Sequence, residues 1–253
     1  MQVLKFGGSV LTKKGGFMEE DSANIKSLAK MLGASWKAGI RDIILIHGAG
    51  SFGHPLVVKY GLTGKIETPE QEKGVEKTHS ACVVLCNMLI NALEKEGVPA
   101  VPLHPYDLGT LKNGRIEEFD SEAVEEVLKE GKLPVLHGDM MKDSELGYGV
   151  CSGDQLVSFF GKDAERIILG TNVDGVLDGS GKLIESITPG NFAEISSHFK
   201  KPEYADVTGG MEGKIREIME IGKPAYVVNA LFPERIAALL QGEDAACTRI
   251  NNA

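Results

Sequence analysis

MQVLKFGGSVLTKK, residues 1–14, decides how the rest of the chain is read. Val3, Leu4 and Phe6 form a short apolar run that predicts a strand in the middle of a sheet, interrupted by Lys5 and stopped by Gly7 and Gly8. A lysine within a buried strand is costly unless an anion or a carboxylate meets it. The glycines after it lack the Cβ atoms that keep a ligand off the backbone, so successive N–H groups can converge on one set of oxygens. Ser9 adds a hydroxyl, and Lys13 and Lys14 add positive charge a few residues on. This is the chemistry of a phosphate cradle. The rival reading is an edge-strand lysine before an ordinary turn.

Downstream, apolar residues at helical spacing predict a helix over 21–38 behind a cap at Asp21 or Ser22, then a strand over 40–46 that runs into HGAGSFGHP at 47–55. Residues 70–96 read as one or two helices, 98–103 as a strand, 106–122 as loop or hairpin, and 121–130 as a helix. A strand at 134–136 enters HGD at 137–139, 143–149 reads as an exposed turn, and SGDQLVSFFG at 152–161 opens a helix behind Ser152. A strand at 166–169 ends in GTNVDGV at 170–176, and 187–206 looks irregular. DVTGGMEGK at 206–214 opens a helix that continues to Ile221, followed by a strand at 225–228 and a helix near 233–241. Alternating strands and helices predict an α/β fold with a mostly parallel sheet covered on both faces. In such sheets ligands bind outside the carboxyl ends of the strands, where every glycine-rich segment here falls.

The length of 253 residues accommodates a substantial core, and 42% hydrophobic with 25% charged residues is ordinary for a globular protein. A net charge of −9 with no Lys/Arg-rich run argues against a nucleic-acid binder, so any anion site must be built locally. Cys82, Cys86, Cys151 and Cys247 include no CxxC pair, which favours reduced, buried thiols over a metal site. No apolar run approaches the ~18 residues of a membrane span, and no basic, apolar leader opens the chain; both lead to the expectation of a cytoplasmic protein without a membrane partner.

GAGSFG at 48–53 matches the GxGxxG dinucleotide pattern, but residues 67–73 carry no strand with the acid that would bind a ribose. His54 follows the last glycine near a helix N-terminus, where its ring and the N–H groups of Gly50 to Gly53 suit a phosphate or carboxylate, or where it simply caps the helix. GGMEGK is half a Walker loop, with threonine at 208 and Ile215 after the lysine; Thr208, Gly209 and Gly210 ahead of a helix, with Lys214 one turn in, still suit a polyphosphate. Asp154 and Asp174 are the candidate acids, each with a structural alternative as helix stabiliser or turn former. His47, His79, His104, His137 and His198 show no ligand spacing and read as structural or surface residues.

KFGGS, GAGSFGH, SGDQ, TNVDGV and DVTGGMEGK in this order resemble the amino acid kinase family along essentially the whole chain. GAGSFGHP, HGD at 137–139 and SGDQ before TNVDGV are similar to the subgroup whose acceptor is isopentenyl phosphate. The resemblance implies a single-domain three-layer αβα sandwich, with an acceptor half over about 1–163 and a nucleotide half over about 164–253, in a homodimer. It implies ATP as co-substrate, with Mg²⁺ carried on its phosphates rather than by a protein metal site.

Residue by residue, the resemblance assigns Lys5 and Lys214 to the transferring phosphoryl group and the β- and γ-phosphates, Lys14 to the transition state, and Asp154 to holding the catalytic lysines. His54 is assigned to the acceptor's phosphate, with Ala49, Gly50, Gly138 and Gly153 at the acceptor, and Gly7, Gly8, Ser9, Thr171, Asp174, Gly175 and Gly209 at the nucleotide. Two positions depart from the subgroup: Lys13 stands where aspartate is usual, and His137 where an aromatic hydroxyl is common. The helix carrying Cys82, Val83, Cys86, Met88 and Ile90 is the candidate wall for a prenyl tail, or packs on the sheet. A kinase of another small phosphate or phosphonate, as in fosfomycin-type kinases, a non-catalytic nucleotide sensor and a Rossmann oxidoreductase are the rival readings.

Overall fold

The computed structural model describes residues 1–196 and 210–251. Its central strand is β1 (Gln2–Phe6), which pairs in parallel with β2 (Ile43–His47) on one side and β9 (Arg166–Thr171) on the other. Beyond β2 lie β6 (Leu133–His137) and β3 (Ala100–Pro102); beyond β9 lie β11 (Ala225–Asn229), β12 (Cys247–Ile250) and β10 (Ser186–Ile187). The only antiparallel pairing described in this sheet is β11 with β12.

Alternation along β1 and β2 sorts side chains to two faces. Leu4, Phe6, Ile43 and Leu45 pack against α2 (Ser22–Lys37), α3 (Gly50–Tyr60), α4 (Pro69–Lys95) and α10 (Pro233–Gln241). Val3, Ile44 and Ile46 face α6 (Ser121–Lys129), α7 (Gly153–Gly161) and α9 (Gly210–Ile221). These are the three layers. Polar signals start the helices: Asp21 accepts from the Asn24 N–H, Thr68 and Gln71 form a capping box ahead of Pro69, and Ser152 accepts from the Gln155 N–H.

The structure decides two readings that the sequence left open and overturns a third. The stretch read as one or two helices over 70–96 is the single 27-residue helix α4. The region around 106–122 contains α5 (Pro105–Leu108) and a hairpin of β4 (Gly109–Lys112) and β5 (Arg115–Phe119). That hairpin joins β7 (Asp139–Asp143) and β8 (Gly147–Cys151) in a second sheet of order β5-β4-β7-β8, so 143–149 is a hairpin rather than a free turn. Asp143 is buried there because its carboxylate accepts N–H groups from Asn113, Gly114, Glu145 and Leu146. Of the segment read as irregular, α8 (Phe192–Ser196) is described.

The helix α1 (Gly8–Leu11) follows β1 directly. A Cβ on Gly8 would lie 2.4 Å from the backbone N of Gly50, and one on Gly48 would lie 2.6 Å from the N of Gly8. The loops after β1 and β2 therefore meet backbone to backbone. Gly8→Ala is expected to lower stability by about 1–3 kcal/mol in urea unfolding, because the obstacle is main chain that cannot rotate away. Gly64, with nothing within 4 Å and no positive φ, is the control; Gly64→Ala should stay within about 0.5 kcal/mol of the parent.

Candidate active site

Lys5 lies on the α7 face of β1, 6% exposed, with Nζ 2.6 Å from Oδ1 of Asp154. Lys214, in the second turn of α9, brings its Nζ to 2.9 and 2.7 Å from the two oxygens of the same carboxylate. Asp154 occupies the first turn of α7, where the helix N-terminus favours an anion. Burial would raise the Asp154 carboxyl, but the Lys5 and Lys214 ammonium groups outweigh it and hold the acid well below the usual carboxylate range. Burial lowers Lys5 to about 8 against the attraction of Asp154, and the neighbouring Lys214 charge adds to the lowering. Two cations on one carboxylate leave a surplus positive charge at the carboxyl end of the central strand.

Ala49, Gly138 and Gly153 border this cluster. A Cβ on Gly138 would lie 3.4 Å from the Gly153 N and 3.7 Å from the Ala49 N; one on Gly153 would lie 3.2 Å from Cε of Lys5. Backbone from three loops thus converges beside a lysine without side chains between, which suits a phosphate. Gly50 sits at φ 50°, the left-handed region, and has no room for a Cβ beside Thr12 Oγ1 at 2.3 Å. Gly7 donates its N–H to the Gly170 carbonyl at 2.8 Å, so it joins β1 to β9 and leaves the start of α1, Gly8 and Ser9, to present N–H groups to an anion.

The segment 12–20 carries Lys13 and Lys14 and is stitched to the start of α3. Thr12 Oγ1 accepts from the Ser51 N–H at 3.0 Å, and Ser51 Oγ accepts from the Glu19 N–H. Pro55 cannot donate to the Ser51 carbonyl, which instead accepts from the Met18 N–H at 3.0 Å. His54 is exposed in the second turn of α3, on the helix that anchors this loop. Lys13 pairs with Glu19 at 2.7 Å, which neutralises it locally. Lys14 is exposed and, among the described residues, joins no ion pair; the structure brings Lys5, Asp154 and Lys214 together but does not bring Lys14 into contact with them.

On the other side of β1, Thr171 ends β9 opposite Asn229, which ends β11. Asp174 accepts from Asn229 Nδ2 at 3.1 Å and from Arg235 Nη1 at 2.6 Å, and the Arg235 contact is the first cause of its lowered acidity range. Gly175 packs against Thr248, whose Oγ1 a Cβ would approach to 2.5 Å. Asn229 and Arg235 were not singled out by the sequence; a strand-ending Asn beside a helix-borne Arg carries no motif. Thr208, Gly209 and His198 lie outside the described residues. Of the proposed tail wall, Cys86 and Ile90 belong to the core under α4, whereas Cys82 reaches α3 at Gly53.

The profile of the amino acid kinase family matches residues 1–229, and the chain belongs to that family. It is a phosphotransferase of that family. It is 36% identical to the isopentenyl phosphate kinase of Methanothermobacter thermautotrophicus, over 99% of this chain and 98% of the relative, and 35% identical to that of Haloferax volcanii, over 95% of each. Among solved structures, one of an isopentenyl phosphate kinase superposes with a TM-score of 0.85 at 33% identity, covering 99% of this chain and 100% of the other. The acetylglutamate kinase of Shewanella amazonensis is 27% identical, over 95% of this chain.

The Lys5 charge should be visible in pH profiles. Below about 8 the ammonium is intact; as pH rises through that value the free enzyme loses it, so kcat/KM for ATP should fall on the alkaline side. Asp154→Asn removes the attraction that sustains the ammonium, so the decline should move to lower pH and turnover should drop by on the order of 100-fold. An unmoved alkaline limb in the variant would exclude Lys5 as the titrating group.

Proposed function

We propose that this chain transfers the γ-phosphoryl group of ATP to isopentenyl phosphate, forming the diphosphate that serves isoprenoid synthesis. The observation that supports this best is the Lys5–Asp154–Lys214 cluster beside the side-chain-free gap between Ala49, Gly138 and Gly153. Both substrates are anions, so bringing them together requires a local positive field, and an overall charge of −9 makes that field a property of the site alone. Phosphoryl transfer depends almost entirely on positioning and charge stabilisation, which lysines and backbone N–H groups supply.

In this reading the acceptor phosphate rests against Ala49, Gly50, Gly138 and Gly153, with His54 as its side-chain donor. Lys5 and Lys214, aligned by Asp154, hold the phosphates of ATP, and Lys14 reaches in from the loop stitched to α3. The nucleotide lies over Gly8, Ser9, Thr171, Asp174 and Gly175. A phosphate nucleophile is already ionised at neutral pH, so no strong base is needed. Mg²⁺ travels on the ATP phosphates, where it neutralises charge; the nearby acids Asp154 and Asp174 are both engaged by cations of the protein.

Steady-state kinetics with isopentenyl phosphate test the assignment. His54→Ala should raise the acceptor KM about 10-fold or more with kcat changed less, the loss of one charge-assisted hydrogen bond. Lys14→Ala should instead lower kcat by on the order of 100-fold, since its contact forms with developing charge. Wild-type kinetics in both variants would refute the site; absence of any turnover of isopentenyl phosphate by the unaltered protein would refute the function.

A further inference from the structure

The imidazoles that the sequence left as structural residues gather where α4 crosses the carboxyl ends of β2 and β6. His47 and His137 end these strands in register, with ring centroids 5.4 Å apart. His137 Nε2 lies 2.8 Å from His104 Nδ1, and its Nδ1 lies 3.7 Å from Oδ2 of Asp139, the first residue of β7. Asp139 also meets His79 Nδ1 at 3.0 and 3.1 Å and accepts from the Met140 N–H. Cys82 comes from α4, and its Sγ, a ring nitrogen of His137 and a carboxylate oxygen of Asp139 all lie within 4.8 Å of one another. All three residues are buried.

We propose that Cys82, His137 and Asp139 form a three-ligand zinc site where α4 meets the end of β6 and the start of β7. A thiolate, an imidazole and a carboxylate are the donor set of a borderline divalent ion, with a water completing the tetrahedron. Metal–ligand bonds of about 2.0–2.3 Å at tetrahedral angles put two donors roughly 3.3–3.8 Å apart, and the His137–Asp139 separation is of that size. Outer partners are also in place, as metal ligands require: His79 orients Asp139, and His104 orients His137. When Nε2–H of His137 donates to His104 Nδ1, the Nδ1 lone pair faces Asp139. The other tautomer, with Nδ1–H on the Gly138 carbonyl at 3.1 Å, fits the same distances, and a bound cation selects between them. Binding forms the sulfur–zinc bond as the Cys82 thiol releases its proton to solvent. The ion would tie α4 to the two residues that flank Gly138, and it requires nothing of the kinase reading.

The test is metal content and cobalt spectroscopy on the full chain. After loading with Zn²⁺ and dialysis, the wild type should retain about one ion per chain, and Cys82→Ser and Asp139→Asn should retain at least tenfold less under the same conditions. Co²⁺ in the wild type should give a thiolate-to-cobalt charge-transfer band in the near ultraviolet with intense four-coordinate visible bands. Cys86→Ser, one turn along the helix, should keep both. Magnesium-type oxygen ligation on a nucleotide would give neither. If Cys82→Ser fails to fold, the wild-type cobalt spectrum decides alone. Zinc held no better by the wild type than by the Cys82 variant, or a cobalt spectrum without a thiolate band, overturns the site.

Discussion

A carboxylate held between two ammonium groups is the interaction on which this molecule depends. Lys5 sits on the central strand with almost no exposure, a position that an unpaired charge does not tolerate. Asp154 makes it tenable, and the same carboxylate draws in Lys214 from α9, 60 residues further along the chain. Removing one partner of a buried pair typically costs about 3–5 kcal/mol, because the other charge is left without compensation. The pair therefore secures β1 to α7 and α9 while leaving one positive charge in excess. A structural ion pair would balance its charges; this one is built with a surplus.

The second constraint is the absence of side chains where the two anions would meet. Gly8 and Gly50 approach so closely that any Cβ would collide with main chain, which fixes the start of α1 against the start of α3. The loop carrying Lys14 is bound to that junction through Thr12, Ser51 and the Ser51 carbonyl that Pro55 leaves available. Lys14 is thus exposed on a loop whose base is hydrogen-bonded to the start of α3.

Much of this was legible in the sequence, for identifiable reasons. Alternation around Lys5 and the breaks at Gly7 and Gly8 signalled β1, and Asp21 and Ser152 signalled helix starts because caps are local chemistry. The second sheet was not legible: β7 carries Asp139, Lys142 and Asp143 within five residues, and its two acids are buried because His79 of α4 meets Asp139 and backbone N–H groups of the turns after β4 and β7 meet Asp143. The strand β12 escaped notice because four residues after an acidic turn have no period to read. Asn229 with Arg235, and Cys82 with His137 and Asp139, were invisible for a deeper reason. Their spacing is set by where strands end in space, and nothing in the chain between them records it.

The distribution of carboxylates bears on how the phosphates are neutralised in the proposed reaction. Asp154 is held by Lys5 and Lys214, and Asp174 by Arg235 and Asn229. Freeing either acid to ligate Mg²⁺ would break these contacts, and in the case of Asp154 would leave Lys5 buried without its counter-charge. Magnesium dehydrates reluctantly and is satisfied by phosphate oxygens and water. The division of labour in the proposed reaction follows: the protein's acids would orient its cations, its cations and N–H groups would address the phosphates, and the metal would stay with the nucleotide. An acidic protein can bind two anions on these terms because exposed charges are screened over about 8–10 Å, while Lys5 and Lys214 would act at contact distance.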